Sequence, residues 1–482
     1  MNSKIPVTDI TEPTPEKKVQ SQPETIELYA SRKKIYVREI KGFFQRIRNY
    51  SLSALLLMYF GLAWVTVNGN PLIHFDLPAR KFTLFGTVFW PQDFTLLAIA
   101  LIICAFGLFF ITSLFGRVWC GYSCPQTVWS FLFMWLEERI EGSRNQRIKL
   151  DKQALSKQKI IKKTLKHLSW LLLAFATGMT FVGYFYPIRE LTSDLFTLSI
   201  SSGATLFWIA FFTLATYINA GWLREQVCLH MCPYARFQSV MFNPDTLIIG
   251  YDYSRGEPRG SRSKKAKTDL GDCVDCNVCV QVCPTGIDIR DGLQYECIGC
   301  ALCIDACDSI MTQMNYPKGL IRYASEKELK GETKQTKLNM RSIGYGLTLV
   351  AAMSAFLFAL QQRPLVELDV LRDRGSLYQV SGMGMIENNY ELKIINKQKV
   401  DDQFTIHLSG IEGELNVSGS VSAESGIVSV GPGEVRSIPL SVSVEPNKLL
   451  NSTEEISFEV RSKTNSSSTA SSDSRFLGPV SR

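Results

Sequence analysis

Between Cys273 and Cys307 the chain reads Cys273-x-x-Cys276-x-x-Cys279-x-x-x-Cys283. After thirteen residues beginning with Pro284 it reads Cys297-x-x-Cys300-x-x-Cys303-x-x-x-Cys307. Eight of the thirteen cysteines fall within these 35 residues, and nothing else in the chain restricts the fold as strongly. Each run has the spacing with which bacterial ferredoxins hold a 4Fe–4S cluster: three thiolates on a turning loop cap three irons, and the fourth crosses to the other cluster. The spacing therefore predicts one cluster on Cys273, Cys276, Cys279 and Cys307, and a second on Cys297, Cys300, Cys303 and Cys283. A zinc site needs paired cysteines separated by a longer stretch, which a repeated three-plus-one run fits poorly. A disulfide framework is out of place in a reducing compartment. One asymmetry is visible, since Asp308 follows Cys307 where Pro284 follows Cys283.

A hydrophobic content of 46% beside 20% charged residues suits a soluble protein on average, but here the apolar residues pile into runs nearly free of charge. Such runs are the mark of membrane-spanning helices. Five are expected: Leu52–Val67, Phe94–Phe115, Leu168–Tyr186, Ala204–Leu223 and Ile343–Leu360. Residues 1–50 carry ten Lys and Arg and residues 115–167 carry eleven, against two in 68–93 and one in 188–202. By the positive-inside rule the N-terminus, 115–167 and 224–340 face the cytoplasm, whereas 68–93, 188–202 and the C-terminal region lie outside. The net charge of +7 sits beside the spans, so it speaks for membrane orientation and against nucleic-acid binding. No cleavable signal peptide is expected, because residues before Leu52 are polar and carry Pro6, Pro13, Pro15 and Pro23.

The fold class expected is a multi-domain membrane protein: an α-helical membrane domain of five spans, an inserted ferredoxin-like domain for two 4Fe–4S clusters, and a C-terminal all-β sandwich. The boundaries are a largely disordered cytoplasmic segment at 1–50, a membrane domain at 51–250 and a cluster domain at 251–340. A fifth transmembrane helix follows at 341–362, then the sandwich at 363–482. Strands are expected at Tyr390–Ile395, Gln403–Leu408, Ile427–Val430, Val435–Val444 and Ile456–Val460, where β-rich alternation is broken by Gly, Pro, Asn and Ser turns. The Ser/Thr run Thr464–Ser474 reads as a flexible loop or tail.

Two further cysteine pairs resemble each other: Trp119-Cys120-Gly-Tyr-Ser-Cys124-Pro125 and Val227-Cys228-Leu-His230-Met231-Cys232-Pro233. Each follows a pair of spans, as in a duplicated membrane hairpin, and both fall on the cytoplasmic face with the clusters. On a helix, cysteines at i and i+4 share a face, so each pair offers two thiolates to a soft ion such as Cu(I). His230 and Met231 stand ready as additional donors. Thiol/disulfide exchange is the other redox chemistry open to them, and plain packing the non-redox one. Cys104 reads as inert packing within a span. His74 and Asp76 read as exposed loop residues, His407 as a strand surface residue, and Trp90, Trp170 and Trp208 as aromatic-belt anchors.

With these motifs in hand, the chain resembles the cytochrome c oxidase accessory protein family (CcoG, also FixG or RdxA). The likeness runs through the spans, both Cys-x3-Cys-Pro motifs, Cys283-Pro-Thr-Gly-Ile-Asp-Ile-Arg290, Gln294-Tyr-Glu-Cys297-Ile-Gly-Cys300 and Cys303-Ile-Asp-Ala-Cys307-Asp308. It extends into the β-rich C-terminal domain, which in that family is immunoglobulin-like; Asp308 also agrees with the family. The resemblance implies a bacterial inner-membrane protein needed to assemble the cbb3-type haem–copper oxidase. It implies a cupric-reductase type of oxidoreductase that turns Cu(II) into Cu(I) for delivery to that enzyme. Its implied partners are the lipid bilayer, the oxidase with its copper-delivery factors, and a cytoplasmic electron donor. A quinol-linked relay like the polyferredoxin membrane subunits, and an assembly scaffold with structural clusters, are the alternatives.

Overall fold

The computed structural model describes residues 34–67, 69–199, 202–262, 270–332, 340–373, 375–398, 400–417, 427–449, 451–464 and 468–479. The disordered segment expected at 1–30, with Arg32 and Lys33 of the basic run, lies outside the described residues. Four helices there are long and apolar enough to cross a membrane: Pro91–Phe115, Lys157–Val182, Gly203–Leu223 and Met340–Gln361. Helix α2 (Phe94–Phe115) has the expected bounds. Helix α6 (Lys157–Val182) starts well before Leu168, because Lys157–Lys166 consists largely of good helix formers that carry the helix beyond its apolar part. Helix α8 (Gly203–Thr216) continues as π-helical turns over Tyr217–Leu223. Helix α14 covers Met340–Gln361.

The first expected span, Leu52–Val67, is corrected. Helix α1 runs Phe43–Leu62, and its uncharged part from Asn49 to Leu62 reaches about 21 Å, short of the hydrocarbon thickness. The β-branched Thr66 and Val67 form β1, which pairs with β2 (Asn70–Pro71) across Gly69 at φ 81°. A three-stranded meander follows, β3 (Ile73–Asp76), β4 (Lys81–Leu84) and β5 (Thr87–Phe89). The short helix α7 covers Ile188–Phe196.

The chain divides into two compact units, changing from one to the other five times, within α1, α2, α6 and α8 and at the start of α14. One unit holds Met1–Leu55, Ile111–Ala176 and Phe212–Asn339. It contains α3 (Val118–Tyr122), α4 (Pro125–Glu141), α5 (Arg144–Lys152) and α9 (Pro233–Met241). Its cysteine-rich part is framed by the antiparallel pair β6 (Ile248–Tyr251) and β7 (Ile321–Ala324), with α10 (Tyr253–Gly256), α11 (Val278–Gln281), α12 (Leu302–Gln313) and α13 (Glu326–Leu329). Two long-range anchors tie α1 to it. The Asp305 carboxylate on α12 accepts from the amides of Phe44 (3.2 Å) and Gln45 (2.8 Å), capping the first turn of α1. Arg48, fully buried, donates to the Cys300 carbonyl and lies over the rings of Phe131 (4.6 Å) and Tyr122 (5.6 Å).

Ahead of α1, residues 34–41 form an extended strap. The Arg38 amide donates to the Gln281 carbonyl at 2.8 Å, and Arg144 and Arg147 donate to the carbonyls of Tyr36 and Val37. Its first described residues are fastened by Asp151, which receives Lys34 and the Tyr36 hydroxyl at 2.7 Å each and Lys163 at 2.5 Å.

The other unit holds Leu56–Phe110, Thr177–Phe211 and Met340–Arg482. Its last part is a sandwich of β8 (Val366–Arg372), β9 (Gln379–Val380), β10 (Ile386–Asn396), β11 (Asp402–Ser409), β12 (Glu414–Val417), β13 (Ile427–Val430), β14 (Val435–Val444), β15 (Thr453–Ser462) and β16 (Thr469–Leu477). One sheet has the order β12-β14-β10-β8 with β9 on β10, the other β13-β11-β15-β16. Alternate residues face inward, so that Tyr390, Leu392 and Ile394 meet Phe404, Phe458 and Phe476 in the core. The expected Ser/Thr tail is corrected in its second half: β16 pairs with β15 from Thr469 to Leu477, while 465–467 lie outside the described residues. Composition misled there, because edge pairing, the fully buried Phe476 and Ala470 against the core hold a largely polar strand.

Asp151 generates a pH-dependent expectation. Burial raises its carboxyl, but the hydrogen bonds from Lys163, Lys34 and Tyr36 outweigh it and hold the group well below the usual carboxylate range. A lowered folded pKa stabilises above the unfolded value, near 4, and that contribution fades as pH falls below it. Asp151→Asn is expected to raise hydrogen exchange over 34–41 at neutral pH, whereas the parent protein shows the same loosening only below about pH 4. Equal protection in both proteins at pH 7 would refute the fastening role.

Candidate iron–sulfur and thiol sites

Within the first unit, the two ferredoxin-type runs fold alike. In each, residues in the left-handed region flank the central cysteine: Asp275 (φ 52°) and Asn277 (φ 56°) around Cys276, Gly299 (φ 67°) and Ala301 (φ 59°) around Cys300. Left-handed residues set among right-handed ones turn successive backbone N–H groups toward a common centre, the concavity in which many iron–sulfur sites bind their anionic group. The conformation is costly for Asp275, Asn277 and Ala301, and its repetition at matching positions marks a functional constraint. Asn277 and Ala301 then start α11 and α12, each of which carries the third cysteine of its run.

The runs interlock. Cys307 is within electrostatic reach of Cys279, Cys273 and Cys276, and Cys303 of Cys300, Cys297 and Cys283. Cys303 lies near Cys279 of the first run as well, so the structure gathers the cysteines of both runs into one region. Burial pushes Cys279 up to about 11 and Cys297 and Cys307 up to about 12, so an arriving metal must displace their protons. Arg290 braces the first run through Asp275 (2.6 Å), Asp288 (2.6 Å) and Asn277.

Two buried arginines adjoin the second run. Besides its bond to Cys300, Arg48 keeps Nε and Nη1 without a partner among the described residues. Arg117 donates to the carbonyls of Tyr295, Cys297 (3.1 Å) and Ala235 (3.0 Å), and its Nε is likewise unpartnered. Buried, unsatisfied guanidinium donors are expensive unless an anion completes them. Four thiols, converging amides and adjacent buried cations suit a 4Fe–4S cluster.

The paired motifs depart from expectation in local geometry. Cys120 lies on α3 and Cys228 on a π-helical turn, Val227–Met231, but Cys124 and Cys232 are extended N-caps (φ −61°, ψ 129°; φ −81°, ψ 111°). Pro125 and Pro233 each open the next helix, since proline at the first helical position gives up only an N–H that would lack a partner there. The pairs are therefore not helical i, i+4 faces. Instead the two motifs converge: Cys120 is within electrostatic reach of Cys124, Cys228 and Cys232. Cys120 Sγ stands 3.4 Å from Gln238 Oε1 on α9, and the Gln126 amide at the start of α4 donates to the carbonyls of Asn219 (2.9 Å) and Arg224 (3.1 Å) beside the second motif. Burial pushes Cys120 up to about 12 and Cys228 up to about 11.

The first motif also packs against the second ferredoxin run. A Cβ added to Gly121 would fall 2.7 Å from the Gly299 carbonyl oxygen and 3.0 Å from Cys300 Cα. Only glycine permits that approach.

His230 and Met231 are exposed, Met231 to 62%. Among the described residues no three Cys, His, Asp or Glu side chains are arranged to share a single metal ion. Cys104 is exposed on α2 rather than packed. His74 and Asp76 lie on β3, where Asp76 accepts from the Ala79 amide, and His407 is exposed on β11. The aromatic-belt reading fails for Trp90 and Trp170, which are buried; Trp170 packs on Phe133 with its indole N–H on the Phe133 carbonyl. Trp208 is exposed. Arg48, Arg117, Gln238 and Asp305 escaped sequence reasoning, and the signal that could have flagged Arg48 is a charge set inside an otherwise helical approach to an apolar run.

Residues 223–326 match a family described as a 4Fe-4S dicluster domain, and residues 97–141 one described as a 4Fe-4S binding domain. Residues 356–479 match a family described as the IG-like fold at the C-terminal of FixG. Among curated proteins, the chain is 38% identical over 425 residues to Protein RdxA of Cereibacter sphaeroides, covering 85% of this chain and 89% of that protein. It is 36% identical over 460 residues to Nitrogen fixation protein FixG of Rhizobium meliloti, covering 86% and 87%. It is 37% identical over 410 residues to Protein RdxB of Cereibacter sphaeroides, covering 82% and 86%.

The buried arginines give a redox expectation. Arg48→Met keeps bulk beside Cys300 and removes a positive charge, so the adjacent cluster becomes harder to reduce, by roughly tens of millivolts. A potentiometric titration followed by EPR should show one potential falling and the other unmoved. Two unchanged potentials would mean that Arg48 does not face a cluster.

Proposed function

The chain belongs to the family of FixG, RdxA and RdxB, and from that premise we propose that it is a membrane-bound iron–sulfur electron-transfer protein serving assembly of a cbb3-type cytochrome c oxidase. Its reaction is the reduction of Cu(II) to Cu(I), one electron per ion, drawn from a cytoplasmic reductant. Cys273, Cys276, Cys279 and Cys307 hold one 4Fe–4S cluster, and Cys297, Cys300, Cys303 and Cys283 the other. When bound, these clusters supply one-electron storage and transfer.

The observation that carries the reading is the seating of Gly121 on Gly299 and Cys300. It brings the backbone of the first Cys-x3-Cys-Pro motif against the second ferredoxin run, and Cys120 of that motif lies near Cys124, Cys228 and Cys232. Copper is the substrate that soft chemistry suits at or beside those thiols, with the exposed His230 and Met231 as nearby donors. Arg117 keeps the two groups in register by holding the Cys297 carbonyl and the Ala235 carbonyl of α9 at once.

The Lys/Arg distribution and the long apolar helices α2, α6, α8 and α14 support a multi-pass protein of a bacterial inner membrane. On the Lys/Arg distribution the cluster runs are cytoplasmic and the C-terminal domain periplasmic, where the oxidase and its copper-delivery factors are its partners. A quinol-linked relay is the second reading. A cavity of about 420 Å³ lined by Lys166, His167, Trp170, Trp222, Arg224 and Glu137 favours it, since it has the size and polarity for a redox-active ring.

Reduced, purified protein is expected to turn Cu(II) into Cu(I), trapped by a Cu(I)-specific chelator. Cys228→Ser or Cys232→Ser should slow this on the order of tenfold or more, as loss of a redox step implies. No Cu(I), with serine variants that handle copper as the parent does, would eliminate the copper role. Cluster reduction by a short-chain quinol would select the relay.

A further inference from the structure

Each Cys-x3-Cys-Pro motif supplies two thiols, half of what a four-cysteine iron–sulfur site requires, and the fold joins the halves. Cys120 reaches Cys124, Cys228 and Cys232 electrostatically, and Cys228 reaches Cys124 and Cys232. All four are free thiols. The joining is built in: Gln126 bridges α4 to the backbone ahead of the second motif, and Gln238 on α9 touches Cys120 on the first. Both motifs also use the same device, an extended cysteine capped onto a proline-led helix.

Four thiols gathered beside a buried guanidinium suit an anionic polynuclear group. Among the described residues no three potential ligands share a single-ion site, and this holds equally for the eight cysteines of the ferredoxin-type runs. A cubane is wider than one ion, so its thiolates stand further apart than the ligands of a lone Zn(II) or Cu(I). Arg117 supplies the compensating charge. Its guanidinium acts on Cys120, Cys228 and Cys297, and its Nε has no partner among the described residues.

We infer that Cys120, Cys124, Cys228 and Cys232 together ligate a third 4Fe–4S cluster, adjoining the set formed by Cys297, Cys300, Cys303 and Cys283. The backbone contact of Gly121 with Gly299 and Cys300 makes the two sites neighbours, with Arg117 between anionic groups on either side. This rests on the reading of the chain as an iron–sulfur electron carrier and is independent of copper. If it holds, these thiols are taken, and copper meets the protein at exposed donors such as His230 and Met231.

The test is iron and acid-labile sulfide per chain in full-length protein purified anaerobically in detergent. About twelve irons are expected, against about eight for two clusters. The double variants C120S/C124S and C228S/C232S, and the quadruple variant, should each fall to about eight, because half a ligand set forfeits the whole site. EPR of the two remaining clusters verifies folding. Should the variants fail to fold, thiol mapping on the parent protein decides. The four cysteines should resist iodoacetamide as isolated and become reactive together once iron is stripped. About eight irons in the parent with these thiols freely alkylated overturns the inference, as does a lone copper or zinc ion lost in the variants while iron is unchanged. Fewer than eight irons removes the carrier reading and the inference with it. Cu(II) reduction assayed on the same samples reports separately on the copper role.

Discussion

Two guanidinium groups without full protein partnership hold the cysteine-rich unit together. Arg48, on α1, and Arg117, at the start of α3, each hand a hydrogen bond to a carbonyl of the second ferredoxin-type run. A buried arginine with open donors is unfavourable on its own, and an anion beside Arg48 Nε and Nη1 and Arg117 Nε would offset that cost. The converging amides of the left-handed turns ask for the same thing. The loops thus leave buried donors for a bound anion to complete, which the β-sandwich, with its closed apolar core, has no need of.

What could be read from the chain tracks how local the physics is. The α2 span and strands β13 and β14 have the bounds that hydropathy and alternation predict, because each is decided by its own residues. The expected grouping of the eight cysteines comes from spacing, since two short loops with one crossed ligand each leave few other arrangements. The end of α1 did not follow: a run that is apolar in composition through Val67 gives way to β-branched residues that pair with β2.

The rest of the site was hidden for a different reason. That Cys124 and Cys232 are caps rather than helix-face residues depends on prolines that read equally well as helix ends. The union of two motifs more than a hundred residues apart rests on Gln126 and Gln238, amides with no distinguishing pattern around them. Trp170 looked like an interface anchor, yet Phe133 and the π-helical segment enclose it. Such facts belong to tertiary packing, to which neither composition nor period gives access.

The capping of α1 by Asp305 also sets a clock on biogenesis. Phe44 and its cap are 261 residues apart, so at bacterial synthesis rates α1 leaves the ribosome roughly ten to fifty seconds before the carboxylate that completes its first turn exists. Arg48 waits almost as long for Cys300. Early membrane insertion of this helix must therefore proceed with an unfinished end, and the cysteine-rich unit can close only after Cys307 has emerged. Iron loading therefore cannot precede synthesis of α12, and a chain truncated before α12 would leave α1 without its cap.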